Sequence, residues 1–402
     1  MPNGGLHHCG DCRHFEPDTV KCSLRNLAIE SSHWTTCASM NRLDKKATGP
    51  LYAIICEVRS GGAAYGDIPY FNGCRADTVQ KESSGNSSVV FTDQHGMQHE
   101  FPSVAKYMEH YQRHSKTALY ERLQISREKA RSLGKEMVEI LIQGHYTTKS
   151  GVRVDLLSQT EKAVAGTVTY EPDSNVPPFS THRYEETCIE VRNETTLSAV
   201  KYLRTEGEIP AALNFASATS PGGGFLTGAR AQEEYLARSS ALWSCLHQHP
   251  MYSYHRDRID PFYSDYIIYS PDVPIVRGED SEFLENLYPC SIITSPAVHA
   301  HGVRRYMPER KGEIIPKMRE RMLKVLAVAA KHGHTSLVLG AWGCGAFGND
   351  SHEIAQLFRS LLEEKFPGVF KHIVFAITDW SDNDKFIGPF IRTFQTNAAR
   401  MV

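Results

Sequence analysis

The chain has 402 residues, a formal net charge of −2 at pH 7 and 41% hydrophobic residues. That length and apolar content suffice for one large domain or two modest ones with a sizeable core. The near-neutral charge argues against a protein built mainly to coat nucleic acid, although it leaves room for a local basic face.

The start of the chain contains no apolar run, and no stretch approaches the roughly 18 apolar residues of a membrane span. The ten cysteines do not suggest a disulfide framework in a chain of this length. We therefore expect an intracellular protein, cytoplasmic or nuclear, without a membrane partner.

Residues 1–45 form the first of three zones and are rich in cysteine and histidine. Cys9, Cys12, Cys22 and Cys37 supply four thiols, the number of ligands that closes a structural zinc site. A segment this short has little core on which to fold without a metal. We expect a zinc-binding region that recognises nucleic acid or another partner. Scattered reduced cysteines and redox chemistry are the alternatives.

Residues 50–115 form the second zone, in which strand-like patches alternate with turns rich in Gly, Asn and Ser. The patches read LYAIICEV (51–58) and SVVFTD (88–93), and a helical pattern follows in FPSVAKYMEHYQRH (101–114). The zone therefore predicts a small α+β module, whose role the sequence does not indicate.

Residues 117–402 form the third zone, in which helical and strand patterns alternate. Leu133, Met137 and Ile140 fall at helical spacing, and Gly144 follows as a stop. The other predicted elements are strands at 188–192, 211–217, 265–270, 290–298, 336–339 and 372–379, and helices over 193–207, 232–249, 318–329 and from a cap at Ser351. Strands that alternate with helices of this length predict an α/β layered sheet.

Two glycine-rich loops follow two of the buried strands, SPGGG at 220–224 and GCGAFGND at 343–350. In an α/β sheet, ligands bind outside the carboxyl ends of the strands. Glycines let successive backbone N–H groups approach a phosphate, and neither loop contains a nucleoside-triphosphate motif. We expect neutral backbone donors and helix N-termini to hold an ADP-like diphosphate without magnesium. Two tight turns without a ligand are the alternative.

Gln232, Glu233 and Glu234 open the helix predicted after the first loop. Adjacent helical side chains diverge by about 100°, so the two glutamates face different surroundings. One of them can then act as a general acid toward a leaving alcohol and as a base toward water at a glycosidic carbon. Acidic residues that merely favour a helix start are the alternative.

The spacing GGG, seven residues, then QEE resembles the signature of the microbial-type poly(ADP-ribose) glycohydrolases. The resemblance extends over residues 120–402 and implies a macrodomain-like fold, a mixed sheet between helices. Five sequence blocks carry it: VEILIQGHYTTKSGVRVDL (138–156), IEVRNETTL (189–197), the segment 213–243, DYIIYSPDVPIVR (265–277) and LVLGAWGCGAFGND (337–350).

The resemblance implies roles for the residues around the first loop. Glu234 is implied to be the catalytic acid/base, and Glu233 to orient the ribose hydroxyls beside the scissile bond. Gln232 is implied to support the loop, and Asn214 to contact that ribose. The implied reaction is hydrolysis of a ribose–ribose O-glycosidic bond, which releases ADP-ribose without a catalytic cofactor.

The resemblance further implies that the two loops enclose the diphosphate and that Phe347 packs on the terminal ribose. Burial in the core is the alternative for that ring. Cys344 is interpreted as a small loop residue rather than a nucleophile, because the family uses a carboxylate. The implied loop contacts to substrate are Gly222, Gly223, Gly224, Gly343, Cys344, Gly345, Ala346 and Phe347.

The leading interpretation is an exo-acting poly(ADP-ribose) glycohydrolase with an added zinc-binding region. Its partners would be ADP-ribose or poly(ADP-ribose) on modified protein, and nucleic acid through the N-terminal region. A mono-ADP-ribosyl hydrolase acting on protein or nucleic acid is one alternative. A non-catalytic ADP-ribose reader is the other, and the paired glutamates, which readers lack, argue against it.

Overall fold

A computed structural model of the chain describes residues 116–179, 183–381 and 383–394, together with the backbone of eight short strands between residues 15 and 101. The chain divides into two compact units, Met1–Leu119 and Tyr120–Val402. Several sequence predictions lie outside the described residues. They are the cysteine ligands (Cys9, Cys12, Cys37 and the side chain of Cys22), the strand-like patch at 51–58 and the helical pattern at 102–114.

The described backbone of the first unit forms three small antiparallel sheets, with orders β1-β2-β3, β4-β5 and β6-β7-β8. The prediction of a strand in SVVFTD is confirmed by β7. These strands are β1 (Phe15–Glu16), β2 (Lys21–Cys22), β3 (Leu27–Ala28), β4 (Tyr70–Phe71), β5 (Cys74–Arg75), β6 (Thr78–Lys81), β7 (Ser87–Thr92) and β8 (Gln98–Phe101).

The remaining described chain alternates strands and helices, as the sequence predicted. The strands are β9 (His145–Thr147), β10 (Arg153–Asp155), β11 (Val168–Tyr170), β12 (Cys188–Arg192), β13 (Ala211–Phe215), β14 (Ile267–Arg277), β15 (Phe283–Ser295), β16 (Ser336–Leu339) and β17 (His372–Ala376). The helices are α1 (Lys116–Leu123), α2 (Arg127–Gln143), α3 (Leu157–Ala165), α4 (Thr196–Thr205), α5 (Gln232–Ser239), α6 (Leu242–Leu246), α7 (Pro250–Arg256), α8 (Ala300–Tyr306), α9 (Ile314–Lys331), α10 (Ser351–Glu364) and α11 (Ile387–Phe394). Among the described residues, no helix has both the length and the apolarity to cross a membrane.

A seven-stranded mixed sheet organises the second unit, with strand order β11-β14-β15-β13-β16-β17-β12. The pairs from β15 to β12 are parallel, whereas β11, β14 and β15 pair antiparallel. The carboxyl ends of β13 and its neighbour β16 therefore lie at the same end of the sheet. The two glycine loops follow these strands and leave the sheet at that end.

The sheet is buried on both faces because side chains alternate along each strand. Leu337, Leu339 and Phe375 join a core with α9 and α10 on one face. Val338 and Val374 join a second core with α4, α5 and α6 on the other. This arrangement confirms the predicted α/β layers and the macrodomain-like mixed sheet.

The single helix predicted over 232–249 is wrong, because the chain breaks at Ser240. Ser240 is extended (φ −149°, ψ 169°) and forms a β-bridge with Ile275, while its Oγ donates to the carbonyl of Leu236 at 2.7 Å. A tertiary contact with β14 therefore overrides the helical pattern. Trp243, in the second of the two helices, is half-buried.

Two predicted strands, β14 and β15, are longer than expected, and the predicted N-cap of α10 is displaced by one residue. β14 runs on through Pro274 to Arg277, because its register shifts between Ser270 and Val273 while it stays paired with β15. The N-cap of α10 is Asp350 rather than Ser351, and its carboxylate accepts hydrogen bonds from the backbone of His352 and Glu353.

Candidate active site

The candidate site begins where β13 and β16 diverge. Their parallel pairing covers only Ala211 and Ala212 on β13, so the last residues of β13 lose that neighbour. The side-chain amide of Gln232 takes its place: Oε1 accepts from the N–H of Phe215 at 2.9 Å, and Nε2 donates to the carbonyl of Leu213 at 2.8 Å. Gln232 therefore fixes the start of α5 against the end of the strand.

Glu233 lies behind the first loop and is 3% exposed. Its Oε2 accepts a 2.6 Å hydrogen bond from the N–H of Ser217, and its Oε1 accepts from the amide of Asn214 at 3.4 Å. Burial raises the pKa of Glu233 well above the ordinary carboxyl value, and the negative charge of Glu234 acts in the same direction. The hydrogen bond from Ser217 opposes this pKa shift without cancelling it.

Glu234 is 8% exposed, and only one of its two carboxyl oxygens has a hydrogen-bond partner among the described residues. Its Oε1 accepts a 2.8 Å hydrogen bond from the N–H of Gly224. Its Oε2 is buried and has no hydrogen-bond partner within the described part of the chain. A buried carboxyl oxygen without a partner costs free energy, so a polar group of a ligand is its natural partner.

The middle glycine of the three is explained by how closely the loop packs on these carboxylates. Gly222 and Gly223 have φ of 73° and 61°, the left-handed region in which other residues are strained. A Cβ on Gly223 would lie 2.3 Å from Oε1 of Glu234 and 2.9 Å from Oε2 of Glu233. Gly223 thus lets one backbone segment cover both glutamates at once.

The second glycine loop is held in place by hydrogen bonds from the side chains of Trp342 and Asn349. The indole of Trp342 donates to the carbonyl of Ser295 at 3.2 Å, and the amide of Asn349 donates to the carbonyls of Val298 and Gly343 at 2.8 and 3.1 Å. Gly343 has φ 75°, and a Cβ there would lie 2.6 Å from both Ala297 and Asn349. The loop is therefore a rigid turn whose next residues reach solvent.

Residues along the second loop differ in exposure. Cys344 points into the core, and burial raises the pKa of its thiol to about 12, which argues against a nucleophilic thiolate. Gly345 and Ala346 are exposed, so their backbone is accessible to a ligand. Phe347 is half-buried, with its ring 5.0 Å from that of His299 and 5.9 Å from that of Tyr263.

Asn214 is fully buried at the end of β13. Its amide donates to Thr294, the residue beside it on β15, at 3.2 Å and more weakly to Glu233. Its Oδ1 is buried and has no hydrogen-bond partner among the described residues. The observed contacts connect Asn214 to Glu233, and its contact with a ribose stays a prediction.

A cavity of about 410 Å³ opens beside the two loops, at the carboxyl ends of β12, β13 and β17. Gln232 and Gly345 line its inner end, whereas Glu233, Glu234 and the three glycines do not line it. Its other walls combine aromatic, hydroxyl and charged side chains: Phe215, Trp380, Phe386, Glu194, Thr195, Arg238 and Arg277. The cavity can therefore hold a flat apolar ring next to polar groups.

Two buried arginines make one wall of this cavity positive. Arg277 donates to the carbonyls of Leu133 and Arg238 at 3.2 and 2.7 Å and pairs with Glu136. Burial lowers the pKa of Arg277 and of Arg238 to about 10, so both remain charged near neutral pH. Glu136 offsets the charge of Arg277, and two glutamates also line the cavity, so its lining carries both signs of charge.

Comparison with known proteins identifies the family. The family model described as "Microbial-type PARG, catalytic domain" matches residues 134–278. The solved structure of poly(ADP-ribose) glycohydrolase (PARG) from Thermomonospora curvata is 42% identical, with a TM-score of 0.62, over 66% of this chain and 100% of that chain. This chain belongs to the microbial-type PARG family.

Other PARG structures support the same assignment. The Thermomonospora curvata enzyme bound to the inhibitor ADP-HPD is 43% identical, with a TM-score of 0.60 over 66% of this chain and 100% of that chain. The Deinococcus radiodurans enzyme in complex with ADP-ribose is 39% identical, with a TM-score of 0.56 over 61% of this chain and 100% of that chain. No curated protein matches the chain significantly. The resemblance noted in the sequence is thus confirmed.

The sequence patterns indicated the glycine loops and the two glutamates but not the cavity beside them. Glu194, Thr195 and Trp380 follow β12 and β17, two further parallel strands of the same sheet. The rule that ligands bind at the carboxyl ends of strands applies to these strands as well. Applied to every parallel strand rather than only to those followed by glycines, it would have indicated these residues.

Proposed function

We propose that this chain hydrolyses the ribose–ribose O-glycosidic bonds of poly(ADP-ribose) and releases ADP-ribose, with Glu234 as the general acid and base. One observation carries the assignment to Glu234. Its Oε1 is held by the N–H of Gly224, whereas its buried Oε2 has no partner within the described residues. That oxygen is available to hold a proton and to donate it to a substrate oxygen.

In the proposed reaction, protonated Glu234 donates its proton to the bridging oxygen as the bond from that oxygen to the anomeric carbon breaks. The departing ribose leaves as an alcohol, and the sugar passes through an oxocarbenium-like state. Water then adds to the anomeric carbon, and its proton returns to Glu234. Atoms and charge balance without a metal or a redox cofactor.

The neighbouring residues position the reacting groups. Glu233 is held by the N–H of Ser217 and the amide of Asn214, and we propose that it orients the ribose hydroxyls beside the scissile bond. Asn214 contacts Glu233, and its Oδ1 is available to the same ribose. Gln232 connects the start of α5 to β13 by two hydrogen bonds, so it keeps both glutamates in place beside the first glycine loop.

The ADP part of the substrate is proposed to cross from the loops into the cavity. The backbone of Gly222–Gly224 and of Gly343–Phe347 would enclose the diphosphate, with Phe347 against the terminal ribose. The adenine would enter the cavity beside Trp380, Phe386 and Glu194, where aromatic faces and an acidic acceptor suit a flat base with an exocyclic amine.

Incubation with automodified poly(ADP-ribose), followed by product analysis, tests the function. Free ADP-ribose as the main product supports it. Release of ADP-ribose from mono-modified protein or nucleic acid, with the polymer left intact, would favour the mono-ADP-ribosyl hydrolase. ADP-ribose binding without turnover of any of these substrates would favour the reader.

For residues 1–45 we propose a zinc ion on Cys9, Cys12, Cys22 and Cys37, in a region that contacts nucleic acid. The support is the number and closeness of these thiols in the sequence. Native mass spectrometry of the full chain tests the zinc. One zinc fewer in Cys9→Ser than in the wild type supports the proposal, and equal zinc content contradicts it.

We also propose an intracellular place of action, cytoplasmic or nuclear. Cys188, Cys245, Cys290 and Cys344 are free thiols in the described chain, which suits a reducing compartment. Imaging of the tagged full-length protein tests this assignment, and secretion of the protein would contradict it.

A further inference from the structure

Three side chains of types that bind metal ions lie close together at the amino ends of the paired strands β12 and β17. This end of the sheet is opposite the end that carries the glycine loops. Cys188 begins β12, and Glu190 lies two residues further along, so both project from the same face. His372 begins β17 and is the direct parallel partner of Cys188. All three side chains therefore converge over the edge strand of the sheet.

The distances suit a single ion. One ligand atom of each residue lies within 4.8 Å of the other two. Nε2 of His372 is 2.7 Å from Oε1 of Glu190. Zinc binds sulfur at about 2.3 Å and nitrogen or oxygen at about 2.0–2.2 Å, so ligand atoms around a tetrahedral zinc lie roughly 3–4 Å apart. Small side-chain adjustments convert the observed cluster into that geometry.

The surroundings hold the ligands in place. Oε2 of Glu190 accepts from Arg192 at 3.1 Å, and the hydroxyl of Tyr202 donates to Oε1 at 3.0 Å. Such outer contacts orient the first ligands of many metal sites. Two cations adjoin the cluster, Arg192 and Lys371, and each is paired with another carboxylate, Glu194 and Glu208 respectively, which reduces their repulsion of an ion. Cys188 is exposed, so an ion can enter from solvent.

We infer that Cys188, Glu190 and His372 form a binding site for a divalent transition-metal ion of the zinc type. A thiol, an imidazole and a carboxylate are the donor set that zinc prefers. The ion would join the edge strand β12 to β17 and leave one coordination position open to water. The site uses none of the proposed zinc ligands in residues 1–45 and neither of the two glutamates. The competing explanation is a hydrogen-bonded cluster that binds no metal.

Alkylation of Cys188 in the full-length protein distinguishes these explanations. Iodoacetamide modification is followed peptide by peptide by mass spectrometry, with and without Zn²⁺, so the other cysteines do not interfere. We expect Zn²⁺ to slow the modification of wild-type Cys188 by about tenfold or more, since a metal-bound thiolate is masked. Equal rates with and without Zn²⁺ would overturn the inference.

Ligand variants show whether the three residues act together. His372→Ala should abolish the protection of Cys188, whereas His352→Ala, which removes an exposed histidine from α10, should retain it. Protection that survives in His372→Ala would mean that the thiol binds zinc alone, which contradicts the site. Glu190→Gln keeps an acceptor for Tyr202 but removes the carboxylate ligand, so it should also reduce the protection of Cys188 by Zn²⁺, and it replaces His372→Ala if that variant does not fold.

Cobalt provides a second readout. Co²⁺ added to the wild type should produce a thiolate charge-transfer absorption that is weaker in Cys188→Ser, because one thiolate ligand is lost. Circular dichroism confirms that the variant is folded. Identical cobalt spectra for the two folded proteins would also overturn the inference.

Discussion

The backbone N–H of Gly224 donates a hydrogen bond of 2.8 Å to Oε1 of Glu234. The residue that donates belongs to the first glycine loop, and the residue that accepts lies in the first turn of α5. The loop therefore orients the carboxyl group, and it leaves Oε2 as the oxygen available to a substrate. The predictions below test this arrangement and the cavity beside it.

Glu234→Gln should reduce turnover of poly(ADP-ribose) by about 10²–10⁴-fold, the usual contribution of general acid–base catalysis. The glutamine still accepts the hydrogen bond from Gly224 but cannot transfer a proton. Calorimetry should show that ADP-ribose binding is retained. Glu353→Gln, in the exposed first turn of α10, is the matched control and should leave turnover unchanged. Full activity of Glu234→Gln would remove this residue from the mechanism.

Gly223→Ala and Gly207→Ala separate backbone strain from contact with the glutamates. Both glycines have positive φ, 61° and 78°, so each alanine should destabilise the fold by about 1–2 kcal/mol. A Cβ at Gly207 meets nothing within 4 Å, whereas a Cβ at Gly223 collides with both glutamates. Both variants should therefore melt at a lower temperature, Gly223→Ala by at least as much as Gly207→Ala because of its added collision, while only Gly223→Ala loses most of its glycohydrolase activity. Equal activities would show that the close packing is irrelevant to catalysis.

The buried carboxyl of Glu233 predicts a pH dependence of stability. Burial raises its pKa above the ordinary value of 4.5, so the folded state keeps a proton that the unfolded state releases. The folded state binds more protons in this window, and the free energy of unfolding must fall as pH rises above that ordinary value. Glu233→Gln has no proton to release, so its stability relative to the wild type should increase as the pH rises above 4.5.

Urea unfolding of both proteins at several pH values measures this difference. A stability difference that is independent of pH would show that Glu233 ionises in the folded protein as it does in the unfolded chain. Glu353→Gln again serves as the control, because an exposed glutamate in a helix start lacks the burial that causes the effect.

Trp380→Ala should weaken ADP-ribose binding by about tenfold, since stacking of one base on an aromatic side chain is worth about 1–3 kcal/mol. Trp380 lines the cavity and is 49% exposed, so its removal should leave the fold intact. Tyr306→Ala removes an aromatic side chain that is 69% exposed and does not line the cavity, and it should bind normally. Equal loss in both variants, or none in either, would place the adenine elsewhere.

Much of the fold was predictable because it depends on local patterns. Apolar periodicity and the stop at Gly144 identified α2, and alternating strands and helices identified the layered sheet. The spacing of the glycines and Gln232–Glu234 indicated the candidate site, because both features lie next to each other along the chain. Each of these inferences needs only neighbouring residues and the geometry of helix and strand.

The sequence by itself therefore determined the alternation of strands and helices and which helix start carries the carboxylates. Only the tertiary structure decided that Gly223 packs on both glutamates, that Ser240 breaks a helix to bridge β14, and that Trp380 shares a cavity with Gln232. It also brought Cys188 and His372 together across two parallel strands. These contacts join residues that are distant in the chain or depend on the register of the sheet, and no local pattern encodes that register.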